Sequence, residues 1–315
     1  MKQAVSKAWR LVVPLAAGLL LVSPVSAQFG GREGEAVIFM LTSKGKGGLT
    51  ITSPSAPNAQ ALVTRFAVID PNKLPYNPAD QPGAFFPQYR LKVLHDEPDD
   101  KMQVLSNLEG PATLHHLYLT TFKLFTFKGV RREYGDAGEP VMDVPPNVFA
   151  SFYAGQDIGP NEALEAEQAL VWTSKPLFPP FIPTPRGLHG PLNGPKVSGT
   201  QLLLDSATFP IEVPWAPMYK KYPGAGWKNG FDIKFLEQDT TAGSVAQMVR
   251  VHVGVNTQTF KVDGATHLFI VQGDVRLNLP GGTSTPLPTF QYAFIPSGMS
   301  FSISNPRKYD GPSPK

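Results

Sequence analysis

Hydrophobic residues in this chain come in short runs, and several of the runs alternate apolar and polar positions with period two. EAVIFML from Glu35, ALVTRFAVID from Ala61, QYRLKVL from Gln88, LHHLYLTTFKLFTFKGV from Leu114 and VFASFYA from Val148 fill the first half. In the second half come TQLLLDSATF, FDIKFLEQ, AQMVRVHVGV, QTFKVD, THLFIVQGDVRLNL, FQYAFIP and SFSISN. Alternating runs of this length, bounded by Gly, Pro, Asn and Asp, predict half-buried strands joined by turns, so the chain reads as all-β. One segment departs from this pattern. Asn161 to Trp172 opens on a capping Asn, carries acids in its first turns and repeats apolar residues three and four apart, which predicts a helix.

Two proline-rich stretches punctuate the strands. DPNKLPYNPADQPGAFFP, between Asp70 and Pro87, holds five prolines and reads as an ordered loop over a sheet edge. KPLFPPFIPTPRGLHGPLNGPK, residues 175–196, holds seven prolines and three glycines and can neither continue a helix nor sit in a central strand. It predicts a strap between a β-rich domain over 28–174 and a second domain over 197–308, with 309–315 a frayed tail.

Residues 1–27 are set apart from the fold. Lys2, Lys7 and Arg10 precede the apolar run Leu11–Val22, too short to span a bilayer, and Val25 and Ala27 form a small-residue cleavage site. This predicts a signal peptide and an exported protein, periplasmic or secreted, with no membrane span after its removal. About 288 residues follow, enough to build sizeable cores without staples. The chain has no cysteine, so disulfides, thiolate metal sites and cysteine nucleophiles are excluded. Net charge is +3, but three of the basic residues fall in the leader and the others form no stripe, which argues against nucleic acid as a partner.

Two stretches of the second half carry a resemblance. Leu268 to Leu277, LFIVQGDVRL, reads as strand, tight glycine turn at Gly273 and returning strand; Pro296, Gly298 and Asn305 in PSGMSFSISN keep a second fixed spacing. Together they resemble the two motifs of the cupin superfamily. The resemblance implies a cupin-like β-barrel or jelly roll over 197–308. It also implies a metal held by three histidines and a glutamate, and here the sequence departs. Phe301 stands where the second motif carries its histidine, NTQTFKVD before Gly264 contains no histidine, and the carboxylate place falls at Thr266 or His267. The expectation is therefore a barrel with no cofactor and no metal. A fainter echo, LFTFKGVR from Leu124 and DVPPNVFASF from Asp143, leaves two alternatives for the first half: a second cupin lobe or an unrelated β-sandwich.

Candidate chemistry is sparse. No nucleophile elbow, P-loop, zinc-protease helix or dinucleotide fingerprint occurs, and no residue is singled out as catalytic. His252 and Arg250 share one face of MVRVHVGV, and His267 opens the glycine-turn strand; with Asp263 or Asp274 the two histidines could hold a metal, but pocket-lining hydrogen bonds are the expected role. Trp215, Tyr219 and Trp227 lie in WAPMYKKYPGAGWKNGF, where rings beside lysines can stack on a sugar or close as a lid. His115 and His116 are neighbours on a strand and point to opposite faces. The acidic run His95 to Asp100 reads as a solvated turn, with a calcium loop as the sharper alternative. Weighed together, these residues favour an exported, metal-free binding protein over an enzyme. Its partners would be a small polar molecule or saccharide and a second copy in a homodimer. The alternatives are a cupin enzyme of isomerase, epimerase, lyase or oxygenase type, or a structural envelope protein.

Overall fold

The computed structural model describes residues 34–43, 49–51, 65–76, 89–113, 116–118, 120–135, 138–158, 160–174, 181–183, 208–210, 212–217, 230–239, 243–257 and 259–306. The expected leader, most of 175–196, His115, Tyr219, Trp227 and the tail lie outside them. Among the described residues the regular structure is β-strand apart from one 3₁₀ turn, Pro71–Lys73, and no helix is long and apolar enough to cross a membrane.

The strands form two jelly-roll-like lobes. In the second lobe a seven-stranded sheet runs Ala216–Pro217, Phe231–Asp239, Ser244–Val251, Ala36–Ser43, Ala265–Gln272, Tyr292–Ile295, Ala67–Ile69. It faces a five-stranded sheet of Leu49–Ile51, Phe260–Val262, Ser300–Ser304, Val275–Asn278 and Ser284–Leu287 across an apolar interior. In the first lobe a five-stranded sheet runs Phe149–Phe152, Phe122–Lys128, Glu167–Thr173, Asp100–Asn107, Tyr89–Glu97. Completing that lobe are a four-stranded sheet, Pro140–Val144, Arg131–Tyr134, Asn161–Ala163 and Gly110–Thr113, and a three-stranded one, Asp157–Ile158, His116–Tyr118 and Phe181–Pro183. The two large sheets pack back to back: Phe39, Met248, Phe269 and Tyr292 from one share a core with Val104, Phe125, Phe149 and Trp172 from the other.

Strand order repeats between the lobes. Asp100–Asn107, Glu167–Thr173, Phe122–Lys128 and Phe149–Phe152 stand in the same sequence of neighbours as Ser244–Val251, Ala36–Ser43, Ala265–Gln272 and Tyr292–Ile295. The lobes exchange their central strands, because Ala36–Ser43 begins the chain's first half yet lies between two strands of its second. Turn geometry agrees. Gly129 and Gly273 both have φ +74, and a Cβ at either would come within 3 Å of backbone atoms, of Ala166 and Glu167 at one and of Glu35 and Ala36 at the other. Only glycine fits such an approach. The LFTFKGVR echo therefore matches LFIVQGDVR in position. The second echo is offset by one hairpin. The amide N–H groups of Asn147 and Phe290 donate at 2.7 Å to Thr126 of Phe122–Lys128 and to Ile270 of Ala265–Gln272, with φ of +67 and +65, so Asn147 matches Phe290 and not Gly298.

The helix expected over Asn161 to Trp172 is instead the two strands Asn161–Ala163 and Glu167–Thr173. Glu167–Thr173 is buried on both faces: Ala169 and Val171 pack into the first lobe's interior, Leu170 and Trp172 into the core between lobes. A strand covered on both faces loses its polar alternation, and its Ala, Leu, Glu and Gln then carry a helix-like signal.

Candidate functional site

Where the hairpin of Phe231–Asp239 and Ser244–Val251 ends, its register sets Asp232 opposite Arg250. Period two keeps Arg250 off the face that sends Val249 and Val251 into the second lobe's interior. Arg250 donates to Asp232 through Nε at 3.0 Å and also through Nη2. His252 lies just past the strand, its Nε2 2.8 Å from Asp232 Oδ2 and its Nδ1 3.2 Å from Glu35 Oε1. Glu35 arrives through the exchanged central strand, is almost wholly buried, and also reaches Arg250 Nη1 at 3.8 Å. Trp215 completes the corner, its ring lying 4.7 Å from the Arg250 guanidinium carbon and 4.6 Å from Lys234 Nζ.

Electrostatics follow from this geometry. Burial works to raise the Asp232 carboxyl, but hydrogen bonds from His252 and Arg250 outweigh it and leave the group below its ordinary range. Desolvation, with Arg250 nearby, lowers Lys234 to about 8. The His252 side chain stays one-third exposed while both ring nitrogens face carboxylates, so it is more open than Arg250, Asp232 or Glu35 beside it. A neutral imidazole can donate only one of those two bonds.

His252, Arg250 and Trp215 thus come together, whereas His267 does not join them. It is buried in the core between lobes, its Nε2 2.9 Å from Asp100 Oδ1 and its Nδ1 2.7 Å from Tyr292 Oη. Trp172 Nε1 donates to the same Asp100 oxygen at 2.6 Å. Burial raises Asp100, but His267 and Trp172 outweigh it and hold the carboxyl low. In the run His95 to Asp100, Asp96 and Asp99 are exposed as a solvated turn would have them, but Asp100 turns inward. The carboxylates meeting the two histidines are Glu35, Asp232 and Asp100, rather than Asp263 or Asp274. Asp232 was within reach of the sequence, since pairing FDIKFLEQ with AQMVRVHV across one turn sets it opposite Arg250. Glu35 was not, because only the strand exchange brings it near.

The family's metal does not fit the second lobe. Phe301 and Val262, in the second-motif and histidine-pair regions, are fully buried members of its apolar interior. Thr266 is bonded to Thr42 at 3.2 Å, and none of the three is a metal donor of the expected kind. Among the described residues no group of three or more His, Cys, Asp or Glu is arranged to hold a metal ion. His116 is buried in the first lobe.

The first lobe's interior is different again. Arg131 Nε lies 2.6 Å from Glu133 Oε1, and Arg131 Nη1 donates to Glu167 Oε1 at 3.0 Å. Asn107 Nδ2 donates to Glu167 Oε2 at 2.8 Å, and Asn161 bonds to Glu133. All five residues are buried. Burial pushes the Glu133 carboxyl up; Arg131 opposes this and Glu167 adds to it.

No protein-family profile matches the chain, and no curated protein does. Solved structures do. A provisionally assigned dioxygenase from Nostoc punctiforme aligns over 84% of this chain and 85% of its own, at 12% identity and TM-score 0.52. Oxalate decarboxylase from Bacillus subtilis aligns over 76% of this chain and 72% of its own, at 11% identity and TM-score 0.47. The Ylba protein of E. coli aligns over 76% of this chain and 86% of its own, at 12% identity and TM-score 0.46. At such identities the likeness is one of fold, and the fold is cupin-like.

Proposed function

We propose that this cupin-like protein takes a small polar molecule at the corner formed by Glu35, Asp232, Arg250, His252 and Trp215. Its chemistry there uses protons and charge and does not draw on the family's metal. The supporting observation is the half-open His252, oriented by two carboxylates beside a guanidinium and an indole face. A ligand hydroxyl or carboxylate that displaces one of those two contacts can take the ring's N–H, and the indole offers a stacking plane, which suits a saccharide, a sugar acid or a hydroxy acid. Export remains part of this reading, resting on residues 1–27.

A second reading, an enzyme, is favoured by the same histidine. A base held by an orienting carboxylate is the arrangement general acid/base catalysis requires, and isomerisation, epimerisation and elimination need only a placed proton acceptor and donor. The provisional dioxygenase assignment of the Nostoc protein also leans toward catalysis, although oxygenase chemistry would need metal donors that the second lobe's interior does not offer.

One screen separates the two. Neutral monosaccharides, uronic acids and hydroxy acids are tested by thermal shift, and each hit is then followed by proton NMR for conversion. Binding that weakens at least tenfold in R250Q supports the site; no hit, or a hit indifferent to both R250Q and H252Q, removes it. Conversion of the hit that H252Q abolishes while retaining affinity makes the protein an enzyme.

A further inference from the structure

At a different place along the boundary between the lobes, a cleft is lined by Phe127, Phe269, Phe290, Lys92, Lys128 and Gln168, among others. Phe127 and Phe290 stand over the buried core ring of Phe269: Phe127 and Phe269 have centroids 4.8 Å apart, and Phe290 sits 6.0 and 6.2 Å from them. Lys128 is exposed. Lys92 is buried; its ammonium gives one bond, 2.8 Å, to the Pro71 carbonyl and lies 4.5 Å from the centroid of the Tyr76 ring. No acidic side chain is among the lining residues described.

Phe290 is the telling member. Its φ of +65 lies in the left-handed region, where a bulky side chain is strained, and its ring is nonetheless one of the few large apolar groups left exposed among the described residues. The matching turn of the first lobe has Asn147 at φ +67, a residue that tolerates this conformation. Folding alone therefore asks for Asn or Gly at 290. An aromatic residue there, against backbone preference, gives the cleft an exposed ring beside Phe127 and two cations.

We propose that this cleft binds a planar aromatic carboxylate, its ring against Phe127 and Phe290 and its charge toward Lys128, with the buried Lys92 adding to the positive field. The rings supply stacking and the lysines charge complementarity, which together select a flat anion over a neutral or aliphatic one. The site is separate from the His252 corner and does not rest on the function proposed for it.

The probe is 1-naphthoate, titrated calorimetrically at low salt against the full chain, with naphthalene-1-methanol as the uncharged control. The wild type is expected to bind naphthoate at least tenfold more tightly than the alcohol. Phe290→Asn should weaken binding at least tenfold while leaving the melting temperature equal or higher, since it removes backbone strain. Lys128→Gln, a change at an exposed side chain, should weaken it about fivefold and flatten its salt dependence. H252Q should bind as the wild type does, so a failure here and a failure at the corner are distinguishable. Absence of naphthoate binding, equal affinity in F290N or K128Q, or a lower melting temperature in F290N would overturn the proposal.

Discussion

The two lobes share strand order, turn geometry and an exchanged central strand, yet their interiors are opposite in chemistry. Asn107 pairs with Glu167, and Val251 with Ala36, in the same register; Glu133 with Asn161 corresponds to Leu277 with Ile303, and Arg131 to Val275. Five buried polar residues of the first lobe thus have five apolar counterparts, all in the second lobe's interior. One topology accommodates both because the backbone ladder satisfies the main chain in either case. Side chains then need only be paired with one another or be apolar. The lesson is that the fold does not dictate a polar or a metal-binding interior; residue choice at a handful of inward positions does.

The largest expected effect comes from breaking the polar interior at its one cation. Arg131→Met leaves Glu133 and Glu167 facing each other in a buried space, and denaturant unfolding should show a loss of about 3–5 kcal/mol. Replacing all five residues by their second-lobe counterparts should cost far less than that single change, because a well-packed apolar set can replace a buried ion network at no net loss. A quintuple variant as unstable as R131M would mean that the lobes are not equivalent inside.

Next in size are the turns that the lobes share. Gly273→Ala and Gly129→Ala each place a Cβ against backbone in a left-handed conformation, so each should lower stability by roughly 3 kcal/mol. Unequal losses would indicate that one central strand is held less closely than the other.

Restoring the family's histidine sharpens the contrast from the other side. Phe301→His buries an imidazole among apolar neighbours without the rest of a metal set. It should cost about 3 kcal/mol, and elemental analysis should find no stoichiometric transition metal gained.

The smallest effect concerns the seam between the lobes. His95 stacks on Phe294, with ring centroids 3.7 Å apart. Burial and the neighbouring His267 lower it from 6.5 to about 4, against the opposing pull of Asp100 and Glu97, with Arg65 adding slightly to the lowering. Between those pH values the unfolded chain takes up a proton that the folded one refuses, so stability should fall as pH drops from 6.5 toward 4. His95→Gln should flatten the melting temperature over that window, and an unchanged slope would assign the acid sensitivity to other groups.

How much of this was legible depended on how local each feature is. LFTFKGVR and LFIVQGDVR could be matched by eye because a strand, an obligatory glycine and a returning strand are determined within ten residues. The Asn147 turn was offset because Pro145 and Pro296 draw the eye, while the true counterpart, Phe290, is a residue that no turn preference selects. Asp232 beside Arg250 was one hairpin away from being read. Glu35 beside His252, and Asp100 beside His267, join residues more than 160 positions apart, and no local pattern connects them.

By itself, then, the sequence determined the all-β class, the glycine corners and the loss of the second lobe's metal donors, since each follows from residue type at short spacing. The tertiary structure alone decided that central strands are exchanged, that Glu167–Thr173 is a strand and not a helix, and that His252 and His267 belong to different clusters. The reason is that long-range strand pairing is set by which faces bury together, a property of the assembled sheets that no short stretch of chain contains.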